Sequence, residues 1–134
     1  MKRWFIAGLL VVSIVLLVSC VAKQQQTAEK PEYRKISAAQ AKEMMDTKAY
    51  DVIIDVRTVQ EFAQGHIPNA VLIPNETITT SRQPEELPDL HAVLLVYCRS
   101  GNRSAQAAKK LVALGYTKVY DFGGIVDWPY EVTR

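Results

Sequence analysis

The residues best suited to chemistry lie in the stretch "LLVYCRSGNRSAQAAKKL", 94–111. There Cys98 is followed at once by Arg99 and, after Ser100, Gly101 and Asn102, by Arg103. A thiol attacks as its thiolate, and cationic neighbours with backbone N–H groups lower its pKa from ~8.5 toward about 3.5–7.5. Arg99 and Arg103 bring permanent charge, and their planar forks match oxyanions such as sulfonate or phosphate. Gly101 permits a positive φ and Asn102 tolerates one better than most residues, so 99–103 can curl back over a following helix. Successive amides in such a curl form an anion-binding nest, and the helix start behind it adds about half a positive charge. The predicted site therefore has Cys98 as catalytic thiol, with Arg99, Ser100, Gly101, Asn102 and Arg103 binding substrate. A cysteine that merely closes a core strand would not call for two arginines and a glycine beside it.

The rest of the chain offers fewer candidates. Of two cysteines, Cys20 follows the N-terminal leader and is read below as a lipid acceptor, so Cys98 has no partner for dithiol exchange. A lone thiol in an exported domain is reactive or intermolecular rather than structural. The two histidines, His66 and His91, stand in no recognisable partner motif for a Cys-His hydrolase. His66, in "GHIPNA", is read as holding a turn through its ring nitrogens. Asp55, in the run "DVIIDV", 51–56, and Arg57, just after it, are supporting residues. They either face the Cys98 rim or tie a loop to the sheet. Trp128 is read as core or edge filling, and Met44 and Met45 as part of a helical run. No cluster of His, Cys and carboxylates has metal-ligand spacing, so neither metal nor cofactor is expected.

Positioning Cys98 requires a strand ahead of it and a helix behind. "AVLLVY", 92–97, is an apolar run too short for a helix and suits a strand buried on both faces, as does "DVIIDV". From Ser104, Ala107, Leu111 and Leu114 fall at helical spacing, and Gly115 is a natural C-terminal cap. Upstream, Tyr33–Ile36 reads as a short edge strand. Ser37 with Gln40 and Thr58 with Glu61 have capping-box spacing, and Gly65 ends the second helix. "AVLIP", 70–74, reads as a strand stopped by Pro74, residues 75–90 as a broken helix or long loop, and "KVYDF", 118–122, as the last strand. Strands alternating with helices predict an α/β fold: a mostly parallel sheet of about five strands with helices on both faces.

The N-terminus is of a different kind. After Met1-Lys2-Arg3, the stretch from Trp4 to Val18 is almost wholly apolar, and Leu17-Val18-Ser19-Cys20 resembles a bacterial lipobox. This divides the chain into a lipoprotein signal peptide at 1–19, a tether at 20–32 and a domain at 33–134, with Cys20 the lipid (palmitate) acceptor. The alternative is an uncleaved membrane helix over Trp4–Ala22, close to the ~20 residues a span needs. Either places the domain in the cell envelope, outside the cytoplasm. Without Lys2 and Arg3 the chain holds as many acids as bases, so no basic surplus marks nucleic acid as a partner.

Three segments in order, "DVIIDVRTVQEFAQGHIPNAVLIP", "VYCRSGNRSAQAAKKLVALGY" and "VYDFGGIVDW", make the chain from about Ile36 onward resemble a single-domain rhodanese, a sulfurtransferase module. The resemblance implies that Cys98 takes sulfane sulfur from a small anionic donor, carries it as a persulfide and yields it to a thiol or cyanide-like acceptor. It also implies a mainly structural role for Asp55 and Arg57, with Glu61 as a further partner. A related phosphatase family shares the fold but has five residues between Cys and Arg, where this chain has four. Phosphate hydrolysis is therefore the weaker alternative, beside a non-catalytic binding or redox-sensing module.

Overall fold

The computed structural model describes residues 32–134; the predicted leader, Cys20 and the tether as far as residue 31 lie outside the described residues. Five parallel strands form one sheet in the order β1-β5-β4-β2-β3. In chain order these are β1 (Arg34–Lys35), β2 (Val52–Asp55), β3 (Ala70–Leu72), β4 (Val93–Cys98) and β5 (Lys118–Gly124). Helices α1 (Ala38–Asp46), α2 (Val59–Gln64) and α3 (Asn102–Leu114) connect them. The parallel sheet of the predicted α/β fold is thus present, with β4 at its centre.

Side-chain alternation along β2 and β4 feeds two cores. On one face Ile54, Leu94 and Val96 pack with Ala107, Ala108 and Leu111 of α3. On the other, Ile53, Leu95 and Tyr97 pack with Ala41 and Met45 of α1. Burial on both faces is why β2 and β4 are continuous apolar runs rather than alternating ones.

Both expected capping boxes form. Ser37 Oγ accepts the Gln40 N–H at 3.1 Å while Gln40 Oε1 accepts the Ser37 N–H at 2.9 Å. Thr58 and Glu61 repeat the exchange at 3.2 and 3.0 Å. Each such cap stabilises its helix by about 1 kcal/mol.

Three boundaries differ from expectation. Helix α3 starts at Asn102 rather than Ser104, because Gly101 (φ 102°) makes the whole left-handed turn alone. Asn102 is accordingly helical and adopts no positive φ. Strand β4 runs on through Cys98 and β5 through Gly124, since those two residues pair with each other past an irregularity after Val96. Of the two forms expected for residues 75–90, the structure has a single 3-10 turn at Asn75–Thr77 and then a long loop. The loop is anchored by buried Ile78 and Leu87, whose carbonyl accepts the Tyr116 hydroxyl at 2.5 Å.

Candidate active site

Cys98 ends the central strand at its carboxyl edge, where parallel α/β sheets bind ligands. It is the free cysteine among the described residues and is 1 % exposed. The chain turns through Arg99 and Ser100 to Gly101, whose N–H donates to Cys98 Sγ at 3.0 Å. The sulfur thus lies within reach of an amide of its own loop. The first helical bond of α3 is Ala105 N–H to the Gly101 carbonyl at 3.2 Å. The amides of Asn102, Arg103 and Ser104 therefore precede any intrahelical acceptor. Gly101 offers no capping side chain, so the end of α3 facing the loop keeps its donors for an anion.

The two arginines have different surroundings. Arg103 is gripped by Glu61, Nη1 to Oε2 at 2.7 Å and Nη2 to Oε1 at 2.8 Å. The hydrogen bonds from Arg103 hold Glu61 at a pKa of about 2, and Glu61 in turn raises that of Arg103, to which the nearby Cys98 adds. Sequence reasoning gave both forks to an incoming anion; the structure commits one to Glu61. Arg99 is exposed, and among the described residues its guanidinium has no ion-pair partner. Its carbonyl accepts the Val126 N–H at 3.2 Å, which holds its backbone against β5. Ser100 and Asn102 are exposed on the same loop.

Asp55 and Arg57 form a separate, buried cluster. Arg57 Nε and Nη2 donate to the Asp55 carboxylate at 2.7–3.0 Å, and Nη2 also reaches the Gly65 carbonyl at 2.7 Å. The Tyr97 hydroxyl donates to Asp55 Oδ2 at 2.7 Å and accepts the Ile67 N–H at 3.1 Å. Of the two roles left open, the contacts show the pair tying the α2–β3 connection to the sheet. Glu61, expected beside them, pairs with Arg103 instead. His66 holds a turn: its ring stacks on Phe62 at 3.7 Å, Nδ1 lies 3.0 Å from the Phe62 carbonyl oxygen, and its backbone pairs with Thr133. Trp128 fills the core against Phe122.

Two residues at the site escaped the sequence reading. Tyr97 looked like one more apolar position of β4, although a buried tyrosine needs a partner for its hydroxyl. Gly124 gave a signal in the doubled glycine of "DFGG", but not its reason: it lies directly against the Arg99–Ser100 backbone.

Known proteins resemble this chain in sequence and in fold. Residues 37–130 match the family described as the rhodanese-like domain. Over 78 residues the chain is 41 % identical to a sulfurtransferase of Allochromatium vinosum, spanning 58 % of this chain and 70 % of that one. Over 103 residues it is 36 % identical to the thiosulfate sulfurtransferase GlpE of Pseudomonas savastanoi pv. phaseolicola, spanning 77 % and 89 %. The crystal structure of a rhodanese-related protein from Thermoplasma volcanium superposes with a TM-score of 0.64 at 36 % identity, covering 75 % of this chain and 98 % of that one. A cysteine held by the amide of its own loop, on this sheet and with these relatives, places the chain in the rhodanese family as a rhodanese-type sulfurtransferase.

Proposed function

We propose that Cys98 is the nucleophile and that its substrate is a small anionic carrier of sulfane sulfur: thiosulfate, polysulfide or a low-molecular-weight persulfide. With thiosulfate, the Cys98 thiolate attacks the outer sulfur, the S–S bond of the donor breaks, and sulfite leaves with the electron pair. The product is Cys98–S–S⁻. An acceptor thiolate or cyanide then takes the terminal sulfur and returns Cys98 to its thiolate. No proton need move at the sulfur in either half, which fits a site whose nearest polar contact is an amide rather than a base.

The observation that carries this reading is the 3.0 Å bond from Gly101 N–H to Sγ within a loop of four residues. The amides of Asn102 to Ser104 stand at the same helix end to receive the second sulfur, and the Arg99 guanidinium, without an ion-pair partner among the described residues, would draw an anionic donor in. Arg103, with its fork occupied, contributes charge and holds the loop to α2. One cysteine suffices for the cycle, so the absence of a second thiol in the domain is consistent with it.

The test is intact-mass analysis of the full chain in detergent after thiosulfate, followed by cyanide and measurement of thiocyanate. One added sulfur that cyanide removes, lost in Cys98→Ser, is expected. No adduct and no turnover, with retained binding to an envelope protein, would point to a non-catalytic module. Hydrolysis of an aryl phosphate blocked by Cys98→Ser would point to a phosphatase.

The leader supports a location as well: we propose a lipoprotein anchored through Cys20, with the domain outside the cytoplasm and 20–32 as its tether. Several acyl chains at ~0.8 kcal/mol per buried CH₂ would hold it firmly.

A further inference from the structure

Beyond the loop itself, the end of β5 shows a contact that no side chain could tolerate. A Cβ on Gly124 would lie 2.2 Å from the Arg99 carbonyl oxygen, 2.6 Å from Ser100 Cα and 2.7 Å from the Arg99 carbonyl carbon. All three are backbone atoms, so no rotamer change relieves the overlap. Gly124 is itself in an extended conformation (φ −119°, ψ 145°) that any residue adopts. Glycine is required there for the close approach and not for the backbone angles.

Three further contacts hold the loop in the same seat. Cys98 pairs with Gly124 in the β4–β5 register. The Val126 N–H fixes the Arg99 carbonyl at 3.2 Å. Ser104 Oγ lies 3.1 Å from the Gly101 carbonyl oxygen and 3.4 Å from that of Gly123, binding the third loop residue to β5.

We propose that Gly124 is a positioning residue for the sulfur chemistry: its missing side chain lets Arg99–Ser100 lie against β5, and that seat aims the Gly101 amide at Cys98 Sγ. The inference rests on Cys98 being the nucleophile. The loop has no slack to absorb a displacement, because four residues join Cys98 to Arg103 and Arg103 is already inside α3. Restoring ordinary contact around a Cβ at 124 moves Arg99–Ser100 by about 1 Å, and the next residue in the chain is the donor. A hydrogen bond lengthened or tilted by that much is largely lost.

The experiment compares Gly124→Ala with Gly115→Ala in the full chain in detergent. Gly115 caps the far end of α3 with φ +105° and Leu90 Cδ1 as the nearest atom to a Cβ, so alanine there strains the backbone without touching the loop. Ultraviolet thiolate absorbance at neutral pH is taken as the difference from Cys98→Ser, alongside the rate of sulfur loading from thiosulfate and the melting temperature. In Gly124→Ala most of the absorbance disappears and loading slows roughly tenfold or more. Gly115→Ala keeps both and only melts lower. Ser104→Ala, which adds no atom, loses part of the absorbance with the fold intact, and serves where Gly124→Ala does not fold.

Wild-type absorbance and loading in Gly124→Ala overturn the proposal, as does an equal loss in Gly115→Ala. If Gly124→Ala is unfolded, wild-type absorbance in Ser104→Ala overturns it. The thiolate signal needs no donor. A wild-type protein with that signal but no sulfur adduct would therefore sink the sulfur-transfer reading while leaving the Gly124 comparison legible.

Discussion

Glu61 and Arg103 meet fork to fork at 2.7 and 2.8 Å, joining the start of α2 to the start of α3 across 42 residues of chain. Glu61 also receives the Thr58 N–H at 3.0 Å, so one carboxylate both caps α2 and restrains the active loop. Its folded pKa of about 2 lies below the ordinary 4.5 because of Arg103 first, with Thr58 assisting. A carboxylate depressed on folding adds stability that is complete above its unfolded pKa and is lost as pH falls toward the folded one. Glu61→Gln should therefore be less stable than wild type by about 1 kcal/mol at neutral pH. Urea unfolding should show that gap constant above about pH 5 and closing toward pH 2. A gap that widens in acid would contradict the pairing.

The contrast between the two loop arginines predicts a split in kinetics. Among the described residues Arg99 has no ion-pair partner, and its backbone is held by Val126, so Arg99→Ala should raise KM for thiosulfate by about three- to tenfold, with kcat nearly unchanged and the melting temperature preserved. Arg103→Ala should lower both kcat and the melting temperature, because it releases Glu61 and unpins the loop. Steady-state thiocyanate formation with thermal melts on the same samples checks both. Identical profiles for the two variants would remove the distinction.

The Asp55–Arg57–Tyr97 cluster should matter to stability and not to turnover. Tyr97→Phe leaves the buried Ile67 N–H without its acceptor, a cost of about 1–3 kcal/mol. Breaking the buried ion pair with Asp55→Asn should cost more, about 3–5 kcal/mol. Burial, and then the neighbouring Asp55 charge, push the Tyr97 phenol well above its ordinary pKa. The folded chain thus keeps a proton that the unfolded chain releases near pH ~10, and stability falls as pH rises past that value. Tyr97→Phe should flatten that alkaline fall in urea titrations while its turnover per folded molecule stays at the wild-type level. A matching drop in turnover would mean that the cluster reaches the loop.

What the sequence disclosed follows from how local each feature is. The capping boxes at Ser37 and Thr58, the apolar runs of β2 and β4, and the turn at Gly101 depend on residues within a few positions of each other, and the structure has each of them. The pairings that shape the site are long-range. Glu61 has both Arg57 and Arg103 near it in the folded chain, and nothing in its spacing selects Arg103 over Arg57. Tyr97 could not declare its hydroxyl contacts while its neighbours across the sheet were unknown. Helix α3 starts two residues ahead of its expected position for a local reason: Asn102 has a weaker helical preference than the alanines behind it, and only the geometry shows Gly101 absorbing the whole turn.

The proposed anchor rests on Leu17-Val18-Ser19-Cys20, and chemistry separates its two readings. A lipid acceptor makes Cys20 a diacylated thioether at a new N-terminus, whereas an uncleaved helix over Trp4–Ala22 leaves it a plain thiol in a span of nearly ~20 residues. Growth with labelled palmitate should therefore mark the wild-type protein and leave Cys20→Ser unmarked, and intact mass should show the loss of the first nineteen residues only in the former. Because the apolar leader itself persists in an unprocessed chain, both forms are expected in the membrane fraction, so fractionation alone decides nothing. Palmitate label on Cys20→Ser, or an unlabelled wild type retaining Met1, would replace the lipid anchor with the helix.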